Sequence, residues 1–441
     1  MTVESFLSLN DFARHGLDLD GYLDGLTAMK ARIDQFEGGA ARIIADADLT
    51  NVALKVDRVG WRKDPGHPAT IRVSGFRNPN GVGRVEALEL RGEGLSADGS
   101  IGFDANGKLT RANFSRIVLG SAVDTSVVYG RKTNGDVGIL VKGAQLDLRT
   151  AFADAIEGRN EPKLPTVHGG PETDIRVEVG RVFLRDELGV FDFKGGIRLR
   201  GDNLHAANVT GRLNGSAPAK LLAESRPEGM ALRLTSPDAG AFIRATDIFR
   251  GAYDGSLQLD AVTRDTVTPT QIGGRILVND MVVHDAPTLG RILSGGAIGS
   301  LMSELKNGGI KFKKIELPFQ GIGSRWNIAD GVAFGPQIGL TLDGGYDVAR
   351  GQLALNGSIS PAYAINGALG NVPLLGKLLT GGEGEGLFGV TFSVDGHTNE
   401  PVVRVNPLSA LTPGFLRKIV AEASKGGGSS SPEINPTGSK K

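Results

Sequence analysis

The chain has 441 residues, 49 basic and 49 acidic side chains, and no cysteine. The missing thiols exclude a disulfide framework, a zinc knuckle and a thiol nucleophile, and the balanced charge argues against a nucleic-acid partner, which favours a strongly basic face. Glycine is frequent at 65 residues while aromatics reach only 6%, and the length suits two or three domains or one long repetitive one.

The start, MTVESFLSLNDFARHG, has no basic stretch leading into an apolar one, so no secretory signal is expected. The spacing of Phe6, Leu9 and Phe12, then of Leu23, Leu26, Met29 and Ile33, predicts one or two helices, and residues 1–36 read as an N-terminal helical segment. Asp18, Asp20 and Asp24 cluster with Gly21 but lack the EF-hand ligand series, which points to a solvated helix end rather than a calcium site.

From residue 37 the period changes to two. Ile175, Val177 and Val179 alternate with Arg176 and Glu178, Leu257 and Leu259 flank Gln258, and Phe388, Val390, Phe392 and Val394 alternate with Gly389, Thr391 and Ser393. Such runs present one greasy and one wet face. Asn-Gly or Asp-Gly pairs punctuate them, nine of them at 98–99, 106–107, 134–135, 214–215, 254–255, 330–331, 343–344, 356–357 and 395–396. These residue types tolerate the positive φ of tight hairpins, so each pair is a turn signal and a strand is expected to end at Asn356-Gly357. At about ten residues per strand, residues 40–405 would give roughly thirty strands. Further helices are expected at 145–158 around Phe152 and Ile156, at 238–249, 289–305, 361–379 and 407–420. The stretch 158–171 is rich in Pro and Gly and marks the boundary between a first β part, 37–160, and a second, 172–423; the tail 424–441 has no apolar period and is expected to be disordered.

The expected fold is therefore mainly β: a long curled antiparallel sheet forming an open apolar groove, with short amphipathic helices at the N-terminus and near the C-terminus. A flat ribbon with one apolar face would aggregate, so it must curl, pair with a second sheet or hold a ligand. The least charged run, 352–376, is broken by Asn356, Asn366, Asn371 and Pro373 and fits poorly to the ~20 apolar residues of a membrane span.

Chemistry-bearing motifs are scarce. The six histidines, at 15, 67, 168, 205, 284 and 397, show no metal-ligand spacing and sit in turn-like surroundings. Gly384, Gly386 and Gly389 match G-x-G-x-x-G, but a strand follows and Glu383 and Glu385 would repel phosphate, so the run reads as a turn. There is no P-loop and no G-x-S-x-G elbow. Paired carboxylates for glycoside chemistry meet only in space, and nothing singles out a pair. No catalytic residue, metal ligand or cofactor site emerges, and the chain does not read as an enzyme. Two apolar clusters are flanked by cations: Leu374, Leu375, Leu378 and Leu379 around Lys377, and Phe415 and Leu416 beside Arg417 and Lys418. They suit either an interface with anionic lipid headgroups or a plug at the end of the sheet.

The run PAYAINGALGNVPLLGKLLTGGEGEGLFGVTFSVDG, followed by PVVRVNPLSALTPGFLRKI, resembles the C-terminal region of AsmA-like envelope proteins, especially the YhdP type. SPDAGAFIRATDIFRGAYDGSLQLDA, residues 236–261, looks like a second stretch of that family, and the resemblance spans 236–419. It implies a Gram-negative envelope protein facing the periplasm and associated with the inner membrane. It also implies a bridge-like lipid transporter whose curled sheet carries phospholipid towards the outer membrane. The implied partners are phospholipid, a membrane surface and envelope proteins. Family members usually begin with a membrane helix and a longer sheet; lacking both, the chain reads as a C-terminal fragment, a shortened homologue or a piece of a split gene.

The groove reading also has a physical basis. A two-chain lipid exposes roughly thirty methylenes at ~0.8 kcal/mol each, so an apolar trough removes most of the cost of crossing water and needs no chemical step. Candidate lining residues are Phe388, Val390, Phe392, Val394, Leu257 and Leu259. Two other readings stand beside it. One is a non-transporting envelope scaffold that docks proteins through the open sheet edge. The other is a β-helical carbohydrate-active enzyme, against which the low aromatic content counts.

Overall fold

A computed structural model of the chain describes residues 2–7, 22–25, 27–156, 171–201, 203–227, 229–246, 249–264, 271–295, 305, 308–361 and 390–406. The fold is mainly β, and the chain divides into two compact units, 1–215 and 216–441.

The first unit contains β1 (Thr2–Leu7), β2 (Leu23–Asp24), β3 (Thr27–Gln35), β4 (Ala41–Asp48), β5 (Ala53–Val56), β6 (Trp61–Lys63), β7 (Ala69–Arg77), β8 (Gly83–Gly92), β9 (Leu95–Phe103), β10 (Leu109–Leu119), β11 (Val123–Arg131), β12 (Val137–Asp147), helix α1 (Arg149–Ile156), β13 (Glu172–Arg185), β14 (Leu188–Arg200) and β15 (Asn203–Leu213). β1, β3, β4 and β7 to β12 pair in succession, each antiparallel to the last. β13 then pairs parallel to β12, because the connection through α1 brings the chain back to the side on which β12 began. β14 and β15 continue antiparallel. β2, β5 and β6 form a small separate sheet.

The second unit contains β16 (Ala217–Arg226), β17 (Gly229–Ser236), helix α2 (Ala239–Ala245), β18 (Ala252–Tyr253), β19 (Ser256–Arg264), β20 (Gln271–Val283), helix α3 (Pro287–Gly295), β21 (Ile310–Ile322), β22 (Arg325–Phe334), β23 (Ile338–Asp347), β24 (Gln352–Pro361), β25 (Val390–His397) and β26 (Val402–Asn406). β16, β17 and β19 to β26 pair antiparallel in succession, and β18 adds to β20.

The N-terminal helix expectation is corrected where the structure describes it. Phe6 lies in β1, Leu23 in β2, and Met29 and Ile33 in β3. In β3, Met29, Ala31 and Ile33 point opposite to Lys30 and Arg32, and this period-two pattern is pinned by backbone pairing to β4. Leu9, Phe12 and Leu26 lie outside the described residues. Three other helices fall where expected. α1 carries Phe152 and Ile156. α2 begins after Asp238, whose carboxylate accepts the Ala241 N–H at 2.8 Å, an N-cap. α3 opens on Pro287, which suits a first helical turn. The helices expected at 361–379 and 407–420, and the tail, lie outside the described residues. The division between units falls at 215–216; β12 and β13, on either side of the Pro/Gly-rich stretch, are paired within the first unit.

Of the nine Asx-Gly pairs, those at 106–107, 134–135, 214–215 and 254–255 make turns. The other five lie inside strands, so β24 runs straight through Asn356-Gly357 to Pro361. Asp330, at φ 59°, is the bulge residue of β22, where the register with β23 slips by one.

Among the described residues, each unit keeps its helices on one margin. In the first unit the small sheet and α1 follow strand ends at Asp48 and Asp147, while the opposite margin carries the turns after Gln35, Arg77, Phe103 and Arg131. In the second, α2 and α3 follow Ser236 and Val283, opposite the turns after Ile322 and Asp347. No sheet is strongly curled. In the second unit, helices packed on the apolar face supply the cover that curling was expected to supply.

Candidate functional site

Register turns the alternating pattern into continuous rows. In the first unit, Ala31, Ala45, Val73, Leu88, Gly99, Phe114, Val127, Val141, Val177, Gly195 and Val209 are direct cross-strand partners, strand after strand, from β3 to β15. No polar side chain interrupts them, and the row passes the parallel joint through Val141 and Val177. Ala31 and Val209 are buried, while Val73, Leu88, Phe114, Val127, Val141 and Val177 are half-buried. In the second unit a row runs through Ala223, Leu232, Ala261, Gly274, Phe319, Ile328, Gly344, Leu355, Val394 and Val403.

Opposite these rows, the sheet carries charge. Lys30, Asp46, Arg72 and Glu89 are successive partners of alternating sign, and Arg72 reaches Asp46 at 2.6 Å. Arg116 pairs with Asp124 at 3.0 Å and Lys142 with Glu178 at 2.8 Å. Hydrogen bonds from Arg116 and Lys142 hold the Asp124 and Glu178 carboxyls below their ordinary range. In the second unit Arg233 meets Asp260 at 2.5 Å and Arg275 meets Glu316 at 3.1 Å. Opposite charges directly across strands offset one another, which suits this face to solvent in the first unit, where the Arg116–Asp124 and Lys142–Glu178 pairs are exposed.

The expected lining residues that the structure describes share one face. Leu257, Val278, Ile315, Ala333, Leu340, Ile359 and Val390 form a second unbroken row, so Leu257 and Val390 are brought into line across seven strands. Phe392 and Val394 follow on the same face of β25, and Leu259 partners Ile276. Leu257, Val390, Phe392 and Val394 are buried in one cluster with Ile292 and Leu293 of α3, and Leu259 is half-buried. At this end the row is packed under helices. Phe388, Leu374, Leu375, Leu378, Leu379, Phe415, Leu416, Arg417 and Lys418 lie outside the described residues, as do the G-x-G-x-x-G run, His15 and His168.

A smaller core lies in the first unit, where Leu49, Val52, Ala69 and Leu95 are buried with Trp61, Ile71 and Leu90 against them. Lys63, 8% exposed, is sealed beside it. Its ammonium donates to the carbonyls of Leu49 and Val52 at 2.9 Å and of Thr50 and Asp64 at 3.2 Å. Burial pushes its pKa down, against the pull of Asp48 and Asp64. Nothing in WRKD marks this lysine as buried; it looks like any surface cation.

Among the described residues, no group of three or more His, Asp or Glu side chains is placed to hold a metal ion. His67 and His205 are exposed or beside exposed residues, and His284 packs edge-on against Tyr253 at 5.2 Å. No helix among the described residues is long and apolar enough to cross a membrane. Comparison with protein-family models, curated proteins and solved structures gave no match.

Proposed function

We propose that the chain is a non-enzymatic lipid-binding and transfer protein of the Gram-negative envelope, whose sheet shields phospholipid acyl chains along its apolar face. The observation that carries this reading is the row of apolar and glycine partners from Ala31 to Val209, without a polar side chain. A hydrocarbon chain laid along it meets nearly the same environment at every strand. Each methylene kept from water is worth ~0.8 kcal/mol, so sliding along a level row avoids the cost of leaving it. Phospholipid, a membrane surface and envelope proteins are the partners. The resemblance to AsmA-like proteins adds the periplasm as the compartment and a curled groove as the loaded shape.

A second reading, an envelope scaffold, is favoured by the packing of Leu257, Val390, Phe392 and Val394 under α3. A face sealed by its own helices needs no lipid. Native mass spectrometry of gently purified protein separates the two. Co-purified phospholipid, reduced by Val141→Asp and unchanged by Ser126→Asp on the charged face, is the expected result. A lipid-free protein with an intact fold would favour the scaffold.

A further inference from the structure

At the turn margin of the second unit two hairpins end side by side, β21–β22 after Ile322 and β23–β24 after Asp347. Their tips expose Ile322 at 49% and Val348 at 52%. One rung inward, Trp326 and Tyr346 are direct cross-strand partners, and the Phe319 ring lies 5.7 Å from Trp326. The chain has two tryptophans and five tyrosines, so this pairing gathers scarce residues at one margin. A depression of about 910 Å³ opens here, with Ile322, Trp326 and Tyr346 in its wall.

The rung of Ile322 carries two arginines against one carboxylate, Asp347, which is the direct cross-strand partner of Arg325. Arg264, Gln271, Ile322 and Arg325 are successive cross-strand partners, which sets two arginines on the rung of the exposed isoleucine. Both are exposed, and among the described residues neither has an ion pair. Asp347 is already engaged by Arg350 at 3.3 Å and by the Ser324 hydroxyl. Isolated exposed aliphatics are ordinary. Two at adjacent tips, backed by Trp and Tyr and flanked by uncommitted arginines, match the layers of a bilayer surface: aliphatics below the headgroups, amphipathic rings at their level, guanidinium groups on phosphate.

We propose that this rim docks on an anionic membrane, with Ile322 and Val348 entering the headgroup layer and Arg264 and Arg325 binding lipid phosphates. The docking goes beyond lipid carriage and does not require it.

Because the chain has no cysteine, a Val348→Cys variant takes a single environment-sensitive dye. Vesicles of phosphatidylcholine alone are compared with vesicles that also contain phosphatidylglycerol. The expected result is a blue shift and quenching by brominated acyl chains with the anionic vesicles, weakened by salt. A dye at Val128→Cys, on the charged face of the first unit, should not respond. Arg264→Glu with Arg325→Glu should remove the response, while unlabelled Ile322→Asp with Val348→Asp should stop co-flotation and leave the unfolding midpoint unchanged. An unshifted dye at 348, or undiminished flotation of the aspartate variant, would overturn the proposal. So would vesicle-independent self-association that the aspartate variant abolishes, which would make the rim a face between copies. Lipid carriage is read separately: a protein that docks but never co-purifies with phospholipid keeps the rim and loses the carriage.

Discussion

Lys63 shows what a single side chain can hold. The carbonyls of Leu49, Thr50, Val52 and Asp64 converge on its ammonium, and removing it leaves buried acceptors without a donor. Lys63→Met is expected to cost about 2–4 kcal/mol, read as a lower urea midpoint, and Lys63→Arg should not rescue it because the planar guanidinium does not fit a compact cage. The acidic side of the stability curve belongs to the carboxylates. Burial alone would raise the Asp147 carboxyl, but the Arg149 side chain and N–H outweigh it and hold it below the ordinary 3.8. A depressed folded pKa means the stabilisation is complete above pH 3.8 and lost as pH falls below it through the folded value. Denaturation between pH 2 and 6 should show this decline, and Asp147→Asn should flatten it while lowering stability at neutral pH. The Lys63 cage is not readable in the local sequence, since three of its carbonyls come from residues 49–52, whereas the Asp147–Arg149 contact joins residues two apart in the chain.

At the scale of elements, several strand glycines lie under aromatic rings, and this accounts for two of the five Asx-Gly pairs found inside strands, those at 98–99 and 356–357. Gly99 faces Phe114, Gly274 faces Phe319, Gly321 faces Trp326 and Gly357 faces Phe392, each as a direct partner. The aromatic ring lies over the missing side chain, so a Cβ on Gly99 would meet the Phe114 ring at 2.5 Å. Gly99→Ala should therefore destabilise by about 1–3 kcal/mol through overpacking, whereas Gly130→Ala, with open space around it, should leave the thermal midpoint near that of the parent. Helices α1, α2 and α3 were legible because their signals are local, such as the apolar spacing of Phe152 and Ile156. The N-terminal strands were not, because the 3–4 spacing of Leu23, Leu26, Met29 and Ile33 coexists with the two-residue alternation of Met29, Ala31 and Ile33, and only pairing with β4 selects the second.

Over the whole molecule, the two faces behave differently towards solvent and ligand. The ion pairs of the charged face are mostly exposed, as at Arg116–Asp124, so solvent screens them and high salt should shift the unfolding midpoint little. The apolar face offers the larger lever. If acyl chains lie along the row through Val127 and Val141, bound lipid stabilises the folded state by mass action. Stripping lipid with detergent should lower the midpoint, and returning phosphatidylglycerol should restore it in proportion to its concentration. A midpoint indifferent to lipid would count against the row as a lipid path.

Alternation of apolar and polar residues, read one strand at a time, determined the β class and the two-faced character of the chain, because the side-chain period of a strand is a local property. Which Asx-Gly pairs turn and which stay inside strands, the parallel joint at Val141 and Val177, and the alignment of Leu257 with Val390 were decided by tertiary structure. Those features arise from hydrogen-bond register between segments far apart in the chain, and register is set by the partner strand as much as by the residues themselves.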